Sequence, residues 1–456
     1  MRATHLGQIA AGQRTVSRRT VLRGGLGAAA LGLAGGLSGC GTALSAGLAG
    51  TQLDPGTVTY WNLFGGGDGS RMQAMEQQYT DQRGTNSLQA ATFAWGNPYY
   101  TKVSLATLGD NPPDVAAAHL TRQSNLALAG LLEEMTEDKL ALVGLSSSDF
   151  NPKVWDASAV NGKHYAVPID THPFVLYYNV DVCQKAGLLN SDGSLKPIQG
   201  TADWEAALRA AQKVTGAYGA SVATVSDNAT SWRWFQTLYS QQNGATPWLS
   251  NGGQDLTYNE DLTIKTLTYI RSLVTSGLMP ATTDYTGSQT LMFTGQSAFY
   301  MQGEWEITTA ESVEGLKFGM TPIPVLFDKA ATQGDSHVFV LPRMDRSPDQ
   351  LAGVMGFIKS LLDQSLTWAK GGHIPAYLPT LQSTEFQDLK PQSNYVSAVD
   401  AVAYDAQAWY SGSGSNFENA LGAQIGLVQQ GIATPQEALA TARAQLLTYA
   451  NTPSPL

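Results

Sequence analysis

Ala159-Val160-Asn161-Gly162-Lys163-His164-Tyr165-Ala166-Val167-Pro168 divides this chain of 456 residues into two series of elements. Asn-Gly between two short strand-forming runs predicts a β-hairpin, because both central residues of the tight turn need positive φ. An apolar strand, residues 173–178, follows at once. Upstream, strands and helices alternate. Residues 57–62 read as a buried strand, and 70–83 as a helix with Met72, Met75, Glu76 and Tyr79 at helical spacing. A strand at 88–93, a helix at 98–108, a strand at 114–119 and a helix from about Arg122 complete the first series. Downstream come helices at 201–214, 232–242 and 262–276, with strands at 221–225, 297–302, 318–324 and 336–341. Leu351, Val354, Met355, Ile358, Leu361 and Leu362 form one apolar helix face. Thr434-Pro435-Gln436-Glu437 opens a last helix with proline at its first position. The alternation predicts an α/β fold of parallel sheets covered by helices on both faces.

The first forty residues are set apart from this pattern. Ser17-Arg18-Arg19-Thr20-Val21-Leu22 places a twin arginine ahead of 24–37, which are all Gly, Ala or Leu, and Leu37-Ser38-Gly39-Cys40 ends the run. The apolar core is too short for a membrane span and fits a twin-arginine signal with a lipoprotein cleavage box. The expectation is a signal peptide at 1–40, lipid on Cys40, and anchoring to the outer face of the cell membrane. Residues 41–56 read as a flexible tether.

That segment carries five arginines and no acid, so the chain's 27 basic and 37 acidic side chains become 22 and 37 once it is removed. A net acidic surface excludes a nucleic-acid partner, which would want basic stripes. With Cys40 lipidated, Cys183 is left without a mate and reads as a buried small apolar residue. The six histidines are scattered in sequence and show no helical zinc signature, so no metal and no cofactor is expected.

The order of several short motifs resembles a known family. They are Val58-Thr59-Tyr60-Trp61, Asn111-Pro112-Pro113-Asp114-Val115, Gly130-Leu131-Leu132, the hairpin with Pro168, Leu176-Tyr177-Tyr178-Asn179, Ala186-Gly187-Leu188, Gly303-Glu304-Trp305 and Gly372-His373-Ile374-Pro375. Together with the lipobox, Trp204 and Thr434–Leu439 they resemble the family 1 extracellular solute-binding proteins of ABC importers, the maltose-binding-protein-like group in its actinobacterial style. The resemblance implies a two-lobe periplasmic-binding-protein fold of type II character. Residues 57–170 plus 325–372 would form one lobe and 171–324 plus 373–456 the other, with a hinge of crossing segments and a ligand cleft between them. It also implies a non-enzymatic, monomeric receptor that closes on a carbohydrate, an oligosaccharide, and delivers it to permease subunits.

The resemblance implies that such a cleft uses residues at the ends of strands and at the crossings. Phe64 and Asp68 lie in the glycine-rich loop after the first strand, and His119, Thr121 and Arg122 after the third. Asp170 and His172 sit at the first expected crossing, and His373 at the third. Trp305 is the leading candidate, an indole for the apolar face of a pyranose, flanked by Gly303 and by Glu304 where the family often has proline. Trp95, Trp232, Trp409 and Tyr410 are further ring candidates. Two alternatives stay open: a lipid-anchored glycoside hydrolase, which needs two carboxyls about 5–10 Å apart across the cleft, and a binder of glycerophosphodiesters or other polyols.

Overall fold

The computed structural model describes residues 56–454; the export signal, Cys40 and the tether up to residue 55 lie outside the described residues. The first series runs β1 (Val58–Asn62), α1 (Gly66–Arg83), β2 (Leu88–Thr92), α2 (Asn97–Leu108), β3 (Val115–His119) and α3 (Leu120–Leu128). The hairpin is β4 (Ala159–Val160) and β5 (Lys163–His164), with Asn161 at φ 53° and Gly162 at φ 76°, as its turn requires. β6 (Ala166–Pro168) and the ten-residue β7 (Asp170–Asn179) follow. The second series comprises α4 (Gly200–Thr215), β8 (Ala220–Ser221), α5 (Asn228–Ser240), α6 (Glu260–Thr275), β9 (Phe299–Gly303) and β10 (Phe318–Pro322). After β11 (Thr332–Asp335) and β12 (His337–Val340) come α7 (Pro348–Asp363), β13 (Ile374–Pro375), β14 (Val402–Ala403), α8 (Asn416–Gln429) and α9 (Pro435–Ala450).

Two mixed sheets result, which corrects the expectation of all-parallel ones. In the first, ordered β2-β1-β3-β12-β6, the three early strands are parallel, but β12 runs antiparallel to both β3 and β6. The second, ordered β14-β11-β7-β9-β8, is built on β7, which also pairs antiparallel with β10 and β13. Helix-length connections fix the direction of β1–β3. They cannot reveal that a strand from far along the chain returns into the sheet the other way. β7 reads as a continuous apolar run because both its faces are buried. Phe174, Leu176 and Tyr178 enter one core with Trp204, Leu208 and Phe299, while Val175 and Tyr177 enter another with Tyr300, Ile374 and Tyr395. Cys183 is buried and its thiol is pushed up to about 12 by that burial, consistent with an inert packing residue.

The chain passes between the two sheet systems three times: at Ile169, between β6 and β7; at Ser336, between β11 and β12; and ahead of β13. These crossings are tied by backbone, with Ile169 N donating to His337 O at 2.8 Å and Ala376 N to Ile169 O at 3.0 Å.

A second tie lies away from the crossings. The loop Ser411-Gly412-Ser413-Gly414-Ser415 lies against α2 and α3. Arg122 donates from Nη1 to Ser413 O and from Nη2 to Asn97 Oδ1, both at 3.0 Å, and its guanidinium lies 4.2 Å over the Tyr100 ring. Ser413 N donates to Thr121 Oγ1 at 3.0 Å, and Asn97 Nδ2 to Asn416 Oδ1 at 3.0 Å. A β-carbon on Gly412 would stand 2.7 Å from Thr121 O, so only glycine lets the loop approach this closely. Thr121 and Arg122, expected at the ligand, therefore serve this latch. α3 begins at Leu120, directly after β3, and turns both side chains toward the loop.

Arg122→Ala removes two hydrogen bonds made by a buried charge, and a loss on the order of 3 kcal/mol in unfolding free energy is expected by chemical denaturation. The radius of gyration of the ligand-free protein should rise at the same time. An unchanged radius together with unchanged stability would show that the latch carries no load.

Candidate functional site

The site is organised by one carboxylate. Asp170, the first residue of β7, is 0% exposed. Its Oδ1 accepts from His337 N at 2.8 Å and from His172 Nδ1 at 3.1 Å. Its Oδ2 accepts from His337 Nδ1 at 2.8 Å and Trp368 Nε1 at 2.6 Å, with His373 Nδ1 at 3.4 Å. Burial alone would raise its pKa, but His337, His373 and the hydrogen bonds from His172 and His337 hold it well below the carboxylate range. Three of the six histidines thus gather around one carboxylate although they are scattered in sequence, and His119 packs against one of them, His337, at 4.9 Å between ring centroids. Ligating atoms of Asp170, His172, His337 and His373 lie within 4.8 Å of one another. Both Asp170 oxygens are already saturated by donors, so proton sharing accounts for the cluster.

His373 extends the network. Burial disfavours its charged form, yet Asp68, Asp170 and Glu304 hold its pKa well above the imidazole range. Its Nε2 lies 3.0 Å from Asp68 Oδ1 and its Nδ1 2.9 Å from Glu304 Oε1, and its ring stacks on Trp368 at 4.3 Å. This imidazolium therefore connects an acid of α1 to an acid that follows β9.

Above the crossings lies a cavity of about 260 Å³. From the first sheet system it is lined by Leu63, Phe64, Gly65, Asp68, Trp95, His119 and His337. From the second come His172, Asp227, Ala229, Arg233, Tyr285 and Trp305. Phe64 packs edge-on against His337 and Trp368, and Trp95 stands at the rim, 42% exposed. The Trp305 indole donates to Tyr285 OH at 2.9 Å, and the Arg233 guanidinium lies 5.0 Å over its ring. A β-carbon on Gly303 would meet that ring at 2.0 Å, so Gly303 makes room for the indole and stays off the cavity wall.

Phe64, Asp68, Trp95, His119, His172 and Trp305 are thus brought together at the cavity. Asp170, Glu304 and His373 stand behind it as fully buried supports. The other ring candidates are corrected. Trp232 lies in the second core, edge-on to Trp248 and Phe417, and donates to Asp405 Oδ1 at 3.0 Å. On α5, Ala229 and Arg233 are four residues apart and share the cavity-facing side; Trp232 is turned about 100° away. Tyr410 stacks on Tyr449 and donates to Gly253 O at 2.6 Å, and Trp409 packs edge-on to both tyrosines. His337, Asp227, Arg233 and Tyr285 were missed. Asp227 caps α5 through Oδ1, and its Oδ2 is buried without a hydrogen-bond partner.

Burial first, then Asp170, pushes the Glu304 carboxyl up to about 7, against the pull of His373. Its unfolded value lies near 4.3, as for any free glutamate. The folded state therefore keeps a proton that the unfolded state has lost. The stability this proton provides is full below about pH 4 and is lost as pH rises through about 7. Glu304→Gln lacks this titration. From about pH 4 to about pH 8 the variant should gain on wild type by something on the order of 3 kcal/mol in urea unfolding. A wild-type-to-variant difference that stays constant with pH would contradict the assignment.

The sequence model of the bacterial extracellular solute-binding proteins matches residues 75–394. The arabinooligosaccharide-binding protein of Bacillus subtilis (strain 168) is 26% identical over 253 residues, 53% of this chain and 52% of that protein, so the chain spans about half the length of this curated relative. The GacH receptor of Streptomyces glaucescens GLA.O, solved unliganded and with acarbose, superimposes with a TM-score of 0.70 at 19% identity, over 86% of this chain and 98% of that one. The sugar-binding protein MalE of Xanthomonas citri gives 0.69 at 17% identity, over 86% and 96%. These likenesses give the chain the two-lobe periplasmic-binding-protein fold. The matched span, more than half of the chain, makes it a member of the bacterial extracellular solute-binding proteins, a family of transport receptors and not of enzymes.

Proposed function

We propose that this receptor captures a carbohydrate and presents it to the permease subunits of an ABC importer. The supporting observation is the cavity between the lobes. It has an indole wall at Trp305, imidazoles at His119, His172 and His337, and the polar groups of Asp68, Asp227, Arg233 and Tyr285. Pyranose rings offer an apolar face to an indole and hydroxyls to polar neighbours. At about 260 Å³ the cavity is near the lower end of small-molecule sites, about 300–1,000 Å³, so it would enclose the terminal part of a saccharide while an oligosaccharide continues past Trp95 at the rim. Residues 57–170 plus 325–372 would move against 171–324 plus 373–456, and contacts available only when both lobes touch the ligand would drive closure. The receptor would be a monomer, exported by the twin-arginine route and held at the membrane by lipid on Cys40.

The alternatives fare less well. Catalysis is set aside because the family consists of binding proteins. A glycerophosphodiester would want several cations, whereas the cavity offers Arg233 alone, with Glu418 3.7 Å away.

A thermal-shift panel of neutral mono- and oligosaccharides tests the reading, and no shift with any of them would reject it. Trp305→Ala should weaken sugar binding by about tenfold to a hundredfold, and Trp305→Phe should recover part of the loss. Normal binding by the alanine variant would remove Trp305 from the site.

A further inference from the structure

The hydrogen-bond network assigns a tautomer to two of the cavity's imidazoles, and the two assignments are opposite. His172 Nδ1 faces Asp170 Oδ1 at 3.1 Å, an oxygen with no proton to give, so Nδ1 carries the hydrogen. His119 Nδ1 faces Tyr100 OH at 2.8 Å. That hydroxyl accepts from His119 N at 2.8 Å, and among the described residues its own hydrogen has no acceptor other than His119 Nδ1, so it points there and the ring hydrogen sits on Nε2. Both rings are neutral. Burial first, then the neighbouring His337, pulls His172 down to about 3, and burial with His337 and His172 holds His119 well below the imidazole range. Both line the cavity, with ring centroids 5.6 Å apart in an edge-to-face arrangement. Among the described residues neither Nε2 has a hydrogen-bond partner, and both rings line the cavity, which leaves each Nε2 for a ligand. Between them they offer one acceptor, His172 Nε2, and one donor, His119 Nε2–H.

We infer that this imidazole pair reads a single hydroxyl group of the ligand, which donates to His172 Nε2 and accepts from His119 Nε2–H. A carboxylate placed there would have no proton for His172. An ammonium placed there would have no lone pair for His119. The pair therefore selects an uncharged hydroxyl over the acidic or amino group of a sugar derivative at that position. Asp170 takes part as a positioning residue: it fixes the His172 tautomer and so makes the floor an acceptor on that side. The inference rests on the carbohydrate reading of the cavity.

The test is titration calorimetry on the whole protein with L-arabinose, D-galactose, D-glucose and maltose. Monodeoxy and aminodeoxy analogues of whichever sugar binds are then titrated into wild type and His172→Asn. Asparagine can still donate to Asp170 from its amide, where Nδ1 stood, but has no atom at the Nε2 position. At one hydroxyl position of the sugar, deletion should cost wild type about tenfold in affinity, and the part of that cost due to His172 should vanish in His172→Asn, whereas the penalty for an amino group there, which comes from His119, should persist in the variant. Penalties at the other positions should persist, and the variant's unfolding midpoint should stay near that of wild type. A binding sugar whose penalties are all unchanged in His172→Asn overturns the hydroxyl assignment and leaves the carbohydrate reading standing. Binding of none of these sugars, together with no shift in the panel of neutral mono- and oligosaccharides, defeats both.

Discussion

The buried carboxylate of Asp170 is the constraint on which the rest of the molecule depends. Removing such a group from water costs several kcal/mol unless its charge is matched and its lone pairs are filled. Here the matching donors come from the chain crossings. His172 belongs to the first crossing and supplies Nδ1–H; His337 belongs to the second and supplies both its backbone and its ring. Trp368 and His373 close the set from the third. The three crossings must converge for Asp170 to be buried at all. Three segments that share one carboxylate are thereby held in one register at the point where they cross.

The same arrangement links the hinge to the cavity. An imidazole that gives Nδ1–H to Asp170 turns its other nitrogen away from it, and for His172 that direction leads to the cavity wall. Asp68, another cavity residue, is joined through the His373 imidazolium to Glu304. A ligand that contacts both lobes therefore acts on residues already wired to the crossings. In the proposed function, closure would be a shift between states that these contacts bias. The loop 411–415 adds a latch at a distance from the hinge, held by Arg122 and Thr121.

Much of the fold was legible because local physics decided it. Asn161-Gly162 set a turn, Met72, Met75 and Tyr79 set a helix face, and Thr434 with Glu437 closed a capping box. Sheet order was not legible, since the antiparallel return of β12 beside β3 depends on contacts between residues far apart in sequence. At the site, residues at strand ends such as Phe64, Asp68 and His119 could be found by position. His337 stood in plain view at the start of a recognised strand, but a lone histidine there gives no signal until Asp170 is seen beside it. Trp232 and Tyr410 misled because ring size says nothing about direction. On a helix, one residue's step from Arg233 to Trp232 is the difference between cavity and core.

The central claim is that the buried hydrogen-bond network around Asp170 fixes the protonation pattern of the histidines: Asp170 that of His172, Tyr100 that of His119, and Asp68 with Asp170 and Glu304 that of His373. Nitrogen-15 NMR of the imidazole side chains, recorded near neutral pH on the whole protein, measures that pattern directly. The account predicts a proton on Nδ1 alone for His172, on Nε2 alone for His119, and on both nitrogens for His373. His172 protonated on Nε2 alone, or a neutral His373, would contradict it.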